Sequence, residues 1–217
     1  MKITAFGFTV VELLIAVVII ALLTLIAIPN FIASQTRAKV ADAQESLQLG
    51  MVGLEAYLVD NTDYPPMRDW IGEPNQSKCY EYPMEITTPI AYLAIRPIDP
   101  FNKADGNKRA IKYHHPGFGY KDGVAFEAGI YVPRAYPADE GSDATDIFYQ
   151  GTINTDTHKP ATESPVRYAV WSSSPDNRSW NLFDHKPVPI RMRYDPTNGT
   201  MSLGFIVRLS ESKPITK

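Results

Sequence analysis

The apolar residues of this chain fall first into one unbroken block and then into stripes. Residues 8–28 read FTVVELLIAVVIIALLTLIAI, and Glu12 is the single charge among them. At about 1.5 Å per residue, a helix of that length spans about 30 Å of hydrocarbon. Leu, Ile, Val and Ala dominate, and neither Gly nor Pro interrupts before Pro29. Past Pro29 a period appears. Val40, Leu47, Met51, Leu54 and Leu58 recur on one helical face, while Arg37, Lys39, Asp42, Gln44, Glu45 and Gln48 occupy the others. The stripe predicts a helix that runs to about Leu58 and stops before Asp60-Asn61, with Pro65-Pro66 preventing continuation. Together with the apolar block it makes one helix of about 50 residues, or about 75 Å. Pro29 removes one backbone bond at the junction and is expected to kink or loosen the helix there. Gly50 and Gly53 are expected to let a strand or a neighbour approach closely.

Beyond residue 60 the pattern is short-strand and turn-rich. Residues 87–93, TTPIAYL, predict a short helix opened by a Thr cap with Pro at its first position. Pro97-Ile98-Asp99-Pro100-Phe101 predicts a turn. Candidate strands lie at 110–114, 124–132, 146–153, 166–172, 188–194 and 200–209. The last two flank Asp195-Pro196-Thr197-Asn198-Gly199 and predict a hairpin. Segments 133–145 and 154–165 read as exposed loops. The fold class is therefore α+β: a long N-terminal helix, half transmembrane and half amphipathic, packed on a small antiparallel β-sheet head with long loops. The organisation is a leader over 1–7, a transmembrane and assembly helix over 8–29, its amphipathic continuation over 30–60 and a globular head over 61–217.

Composition narrows the function classes. The 217 residues carry 24 acidic and 21 basic side chains, a formal net charge of -3, which gives no electrostatic reason to bind nucleic acid. With 44% hydrophobic and 21% charged residues, the balance is that of an ordinary globular protein and argues against a wholly disordered chain. The lone cysteine, Cys79, excludes an intrachain disulfide and a Cys-rich zinc module.

Glu12 is the residue that asks for an explanation. A cleaved secretory signal would have a shorter apolar core, followed by a small-residue cleavage site. A simple anchor explains the length of the block but not a carboxylate inside it, which is costly in lipid. A third reading supplies a partner. If the chain is cut after Gly7, Phe8 acquires a free α-amino group, and Glu12 lies about 6 Å further along the helix axis. A staggered neighbouring copy then places its amine against this carboxylate. Such a pair fixes register more surely than it adds stability.

The string Gly7-Phe8-Thr9-Val10-Val11-Glu12-Leu13-Leu14 resembles the class III prepilin signal of type IV pilins and type II secretion pseudopilins. Pro29-Asn30-Phe31 resembles the same family. The resemblance implies cleavage between Gly7 and Phe8 by a membrane prepilin peptidase, N-methylation of Phe8, and Glu12 as the assembly glutamate, with Pro29 at a site of local melting. It implies an inner-membrane protein of a bacterium, single-pass, with a cytoplasmic N-terminus and a periplasmic head, later part of a periplasmic or extracellular filament. Its partners would be copies of itself, other pilin-like subunits, the peptidase, and an inner-membrane assembly platform with its ATPase. One departure stands out: Phe6 precedes Gly7 where many relatives carry Lys or Arg, and Lys2 is the leader's only basic residue. Residues 61–66 (NTDYPP), 86–101, 168–176 (YAVWSSSPD) and 194–200 (YDPTNGT) resemble the major, G-type pseudopilin branch in particular. The expected function is a structural subunit of a pilus-like filament, most closely a type II secretion pseudopilin. The alternatives are a type IV pilin for adhesion or motility, and a membrane-anchored binding protein with a ligand- or calcium-binding head.

Enzymatic chemistry finds little support. His114 and His115, adjacent on a strand, point to opposite faces and do not share one ion easily, and His158 and His185 stand apart. Serines 172–174 lack a nucleophile elbow, and there is no phosphate-binding glycine loop. Calcium wants several converging oxygens. The weak candidates are Asp143 and Asp146 in one oxygen-rich stretch and Asp176 and Asn177 in another. Major pseudopilins commonly bind calcium in a C-terminal loop, but their Gly-rich, multi-aspartate run is missing here. Three sequons, at Asn75, Asn177 and Asn198, mean little outside a eukaryotic secretory context.

Overall fold

The computed structural model describes residues 7–68, 81–104, 107–121, 124–134, 145–149, 158–173, 175, 194–195 and 204–211. The architecture is α+β, as the pattern predicts. Helix α1 covers Val10–Asp60, 51 residues. It ends two residues later than expected, where the Asn61 side chain donates to the Tyr57 carbonyl at 2.9 Å. The helix is unbroken at Pro29. The ring removes the donor that would close on the Leu25 carbonyl, while the next residue, Asn30, donates its amide to the Ile26 carbonyl at 3.2 Å. One missing bond among so many does not end a helix of this length.

The chain divides into two compact units, residues 1–38 and 39–217. The first is the apolar part of α1. The second contains the rest of α1 and the head. Its strands, in chain order, are β1 (Met67–Arg68), β2 (Ile98–Ala104), β3 (Asn107–Ala110), β4 (Lys112–His114), β5 (Gly117–Lys121), β6 (Val124–Ala128), β7 (Ile130–Pro133), β8 (Thr145–Tyr149), β9 (His158–Pro160), β10 (Val166–Ser172) and β11 (Ile206–Glu211). They form small sheets ordered β1-β5-β6, β2-β3, β11-β10-β4 and β7-β8-β9. Most pairs are antiparallel, but β1 runs parallel to β5, and β9 parallel to β8.

Strand β10 organises the head, because both of its faces are buried. Tyr168 and Val170 enter a core with Ala43, Leu47 and Leu54 of α1 and with Tyr82, Ile86, Ile111 and Tyr113. Ala169 and Trp171 point the other way, into a core with Ile130, Val132, Phe148 and Phe205. Strand periodicity would put Val166 with Tyr168. A register shift between the two sends Val166 to the second core instead, the usual consequence of a bulge.

The glycines of α1 behave as expected. A Cβ on Gly50 would lie 2.6 Å from Ile111 Cδ1, and one on Gly53 would lie 2.8 Å from Leu93 Cδ1. The Tyr82 hydroxyl uses the space and donates to the Gly50 carbonyl at 2.6 Å. Glu55, on the next turn, gathers three hydroxyls on Oε1: Tyr168 at 2.9 Å, Tyr64 at 3.2 Å and Ser210 at 3.4 Å.

Several expected elements differ. Residues 87–93 are not a helix. A short 3-10 turn, Met84–Ile86, precedes them, and the Thr87 and Thr88 hydroxyls close that turn by donating to the Met84 carbonyl at 3.0 and 3.3 Å. The threonines end one element rather than opening another. The expected turn at 97–101 is largely strand β2, and its Asp99 folds back to accept the Phe101 N–H at 2.9 Å. The expected strand at 124–132 splits into β6 and β7 around Gly129. The expected strand at 188–194 and the Asp195–Gly199 turn fall almost wholly outside the described residues. Tyr194 nevertheless donates its N–H to the Phe205 carbonyl at 2.8 Å, drawing the two flanks of that segment together.

Candidate assembly site

The N-terminus of α1 carries the residues singled out by sequence. Nothing in their unit covers them: Phe8 is 80% exposed, and apolar side chains from Val10 to Ile32 stand open on every face of the helix. Residues 10–60 form the one helix, among the described residues, that is long and apolar enough to cross a membrane. Thr24, Asn30 and Thr36 turn their polar side chains inward on the helix backbone. The Thr24 hydroxyl reaches the Ile20 and Ala21 carbonyls at 2.9 Å each, and that of Thr36 reaches the Ile32 carbonyl at 3.0 Å. Such groups need no outside partner in an apolar medium.

Glu12 is handled differently. Thr9 sits immediately before the helix, and both its N–H and its hydroxyl donate to Glu12 Oε2, at 2.9 and 2.8 Å. The Glu12 N–H lies 3.3 Å from the Thr9 hydroxyl oxygen. Thr9 and Glu12, three residues apart, form a capping box, which satisfies two amide donors left over at a helix start. Sequence reading passed over Thr9, although Thr-Val-Val-Glu ahead of an apolar run is the signature of this motif. The carboxylate therefore has a local partner as well as any distant one. Both Thr9 bonds go to Oε2. Among the described residues, no hydrogen bond reaches Oε1.

Gly7 precedes this cap. A Cβ added there would meet nothing within 4 Å, so packing gives no reason for a glycine at that position. Pro29 lies inside the continuous helix, in the same unit as Glu12.

The head shows where its other candidates lie. Asp146 is buried on β8, with Arg134 Nε donating to Oδ1 at 2.8 Å and Lys159 Nζ to Oδ2 at 2.6 Å. Burial opposes its charge, but the Lys159 and Arg134 bonds outweigh burial and hold the carboxyl below its ordinary value. Two cations already occupy the oxygens that a calcium ion would need. Asp143, Asp176 and Asn177 lie outside the described residues, as do Cys79 and His185. Among the described residues no three His, Cys, Asp or Glu side chains come together as a metal site.

His114 and His115 are both buried, with only 2% of each exposed. His114 Nε2 lies 2.9 Å from the Gly129 carbonyl, and His115 Nδ1 lies 3.0 Å from the Pro116 carbonyl. A carbonyl only accepts, so these nitrogens carry the protons. Burial pushes the His114 imidazole down to about 4, against the raising effect of its Gly129 bond, and burial lowers His115 too. They are neutral packing groups at neutral pH. The Ser172 hydroxyl donates to buried Asp99 at 2.6 Å, and the Ser173 N–H donates to the other oxygen of Asp99 at 2.9 Å. That arrangement pins the end of β10 to β2 and leaves Ser172 engaged with a carboxylate rather than an imidazole.

Comparison with known proteins points to one kind of protein. Over 77 residues the chain is 36% identical to the type IV major pilin protein PilA of Myxococcus xanthus (strain DK1622). The match spans 35% of this chain and 35% of that relative, so the chain matches about a third of the relative's length. No protein-family model matches the chain, and neither does any solved structure.

Proposed function

We propose that the chain is a structural subunit of a type IV pilin-like filament rather than an enzyme. It is cut between Gly7 and Phe8 by a prepilin peptidase, N-methylated at Phe8, and polymerised through α1. The observation that carries this reading is Glu12: a carboxylate with one oxygen that no described residue bonds, on a helix end whose apolar faces are all open. Gly7 supports the cut, because a peptidase's need for a small residue accounts for a glycine that packing does not.

The physical sequence of events is as follows. Residues 8–29 hold the subunit in the bacterial inner membrane, with residues 1–7 cytoplasmic and the head over 61–217 periplasmic, joined by the amphipathic part of the helix over 30–60. Cleavage exposes the Phe8 amine. In lipid, helices gain nothing from apolar burial against one another, so packing and polar pairs decide association. The amine of an adjoining copy meets Glu12 in a medium of low dielectric, where a misplaced pair is heavily penalised and register is therefore enforced. Pro29 is the point at which the helix loosens during assembly. An assembly platform and its ATPase supply the work of extraction, and the filament ends up periplasmic or extracellular. The motifs in residues 61–66, 86–101, 168–176 and 194–200 support a major pseudopilin of type II secretion as the finer reading. The identity to a major pilin favours a second, a type IV pilus subunit for adhesion or motility.

Two measurements test this. Mass spectrometry of the mature protein should find seven residues missing and a methylated phenylalanine at the start. Glu12→Gln keeps a side chain able to complete the capping box but removes the charge. It should leave membrane levels normal and abolish filaments. Normal filaments from Glu12→Gln would reduce Glu12 to a helix cap, and failure of the unaltered chain to polymerise would leave a tethered binding protein as the better reading.

A further inference from the structure

We propose that Thr9 is a positioning residue for assembly: it clasps Glu12 by one oxygen so that the other is presented to the amine of the adjoining copy. The inference rests on the filament reading above and adds to it a residue with its own role. Three contacts argue for it. The Thr9 N–H and hydroxyl, at 2.9 and 2.8 Å, both converge on Oε2, and the Glu12 N–H completes the ring at 3.3 Å from the hydroxyl. A glutamate side chain has three rotatable bonds, and without the clasp it would sample many directions on an open helix face. With Oε2 held at the helix start, Oε1 is the carboxylate oxygen that, among the described residues, has no partner. Half-satisfying the carboxylate also makes it tolerable in lipid while the subunit waits as a monomer. The incoming ammonium then completes the site without having to displace the clasp, so preorganisation, rather than a new contact, favours assembly.

Thr9→Val keeps the shape of the side chain and removes the hydroxyl, whereas Thr9→Ser keeps the hydroxyl. Each is made in the full chain, expressed with its own assembly machinery, and the sheared filament fraction is measured against total membrane protein. Thr9→Val should lower the filament fraction roughly twofold to thirtyfold, the range a lost cap side chain typically produces. Thr9→Ser should restore it, and both variants should lose the same seven N-terminal residues. The carboxyl signal of Glu12 reads the hydroxyl bond directly. In bilayer-embedded monomer carrying a 13C-labelled Glu12 carboxyl, that NMR signal should therefore shift in Thr9→Val and stay in place in Thr9→Ser. Unchanged filament yield in Thr9→Val, or a loss explained by failed cleavage, overturns the inference. If Glu12→Gln abolishes filaments while Thr9→Val does not, the filament reading survives and only the role of Thr9 falls.

Discussion

Replacing Gly50 by alanine sets helix propensity against space. At an exposed helical position the change would stabilise by about 1 kcal/mol, because glycine is the poorer helix former. At Gly50 the new methyl would sit 2.6 Å from Ile111 Cδ1 and 3.2 Å from Tyr82 Cε2. Neither neighbour can yield easily. Ile111 is wholly buried, and the Tyr82 ring is held by its hydroxyl on the Gly50 carbonyl at 2.6 Å. Overpacking of this kind costs about 1–3 kcal/mol, and a displaced Tyr82 bond adds about 1 kcal/mol. The net expectation is a loss of about 1–3 kcal/mol after the propensity gain is deducted. For a chain of this size that lowers Tm by about 2–12 °C. Thermal and denaturant unfolding of the full chain in detergent, followed by near-UV circular dichroism, measures it. Gly53→Ala is the internal comparison. Its methyl meets Leu93 Cδ1 at 2.8 Å and the Tyr82 hydroxyl at 2.9 Å, so it presses on the same held side chain and the loss should be similar. A Gly50→Ala protein more stable than the wild type would refute the close approach of helix and head on which the packing argument stands.

Further expectations follow from the same contacts. Because the folded His114 binds its proton only near pH 4 and the unfolded one near 6.5, the unfolded chain takes up the proton first. Stability should be full above about pH 6.5 and fall on acidification towards pH 4, and His114→Gln should flatten that fall in denaturant titrations across the window. Asp146 works at lower pH: its carboxyl is held below 3.8, so its contribution persists above that value and is lost as the pH drops through the folded-state value. Asp146→Asn leaves Arg134 and Lys159 facing a neutral group, and both are partly exposed, so we expect about 1–2 kcal/mol of destabilisation at neutral pH and none in strong acid. Tyr168→Phe removes one of the three hydroxyls on Glu55 and should cost about 1 kcal/mol in the same unfolding assay.

The long helix was the most legible part of the chain, because its signals are additive: an unbroken apolar block, then a stripe of constant period. Strand β10 was legible for the same reason, since YAVWS within 166–172 is apolar and aromatic enough to be buried on both faces. The misses came from signals that were local and were given too little weight. Two Asp-Gly dipeptides, at 105–106 and 122–123, join β2 to β3 and β5 to β6, and Asp-Gly between extended stretches is a strong hairpin signal. The proline on either side of Ile98-Asp99 made a strand look like a turn, although an edge strand tolerates proline. Thr87 and Thr88 were read forward as a cap when they serve the turn behind them. At the candidate site Gly7, Phe8 and Glu12 were singled out because a charge in an apolar block demands an account. Thr9 was missed because its capping signature was passed over; the distances add that both of its bonds go to one carboxylate oxygen. The pairing of Asp146 with Arg134 and Lys159, twelve and thirteen residues away, had no sequence signal at all.

The three hydroxyls on Glu55 tie the start of the head to its finish. Tyr168 is 113 residues from Glu55 and Ser210 is 155. A chain emerging from the ribosome makes its helix early, but β10 lacks its outer neighbour until β11 has been synthesised. Until then Tyr168 and Val170 have only part of their surroundings, and the unpaired edge of β10 is open to chaperones and proteases. A product terminated before Ile206 would keep α1 yet could not close its head, so degradation is the expected fate of truncated copies.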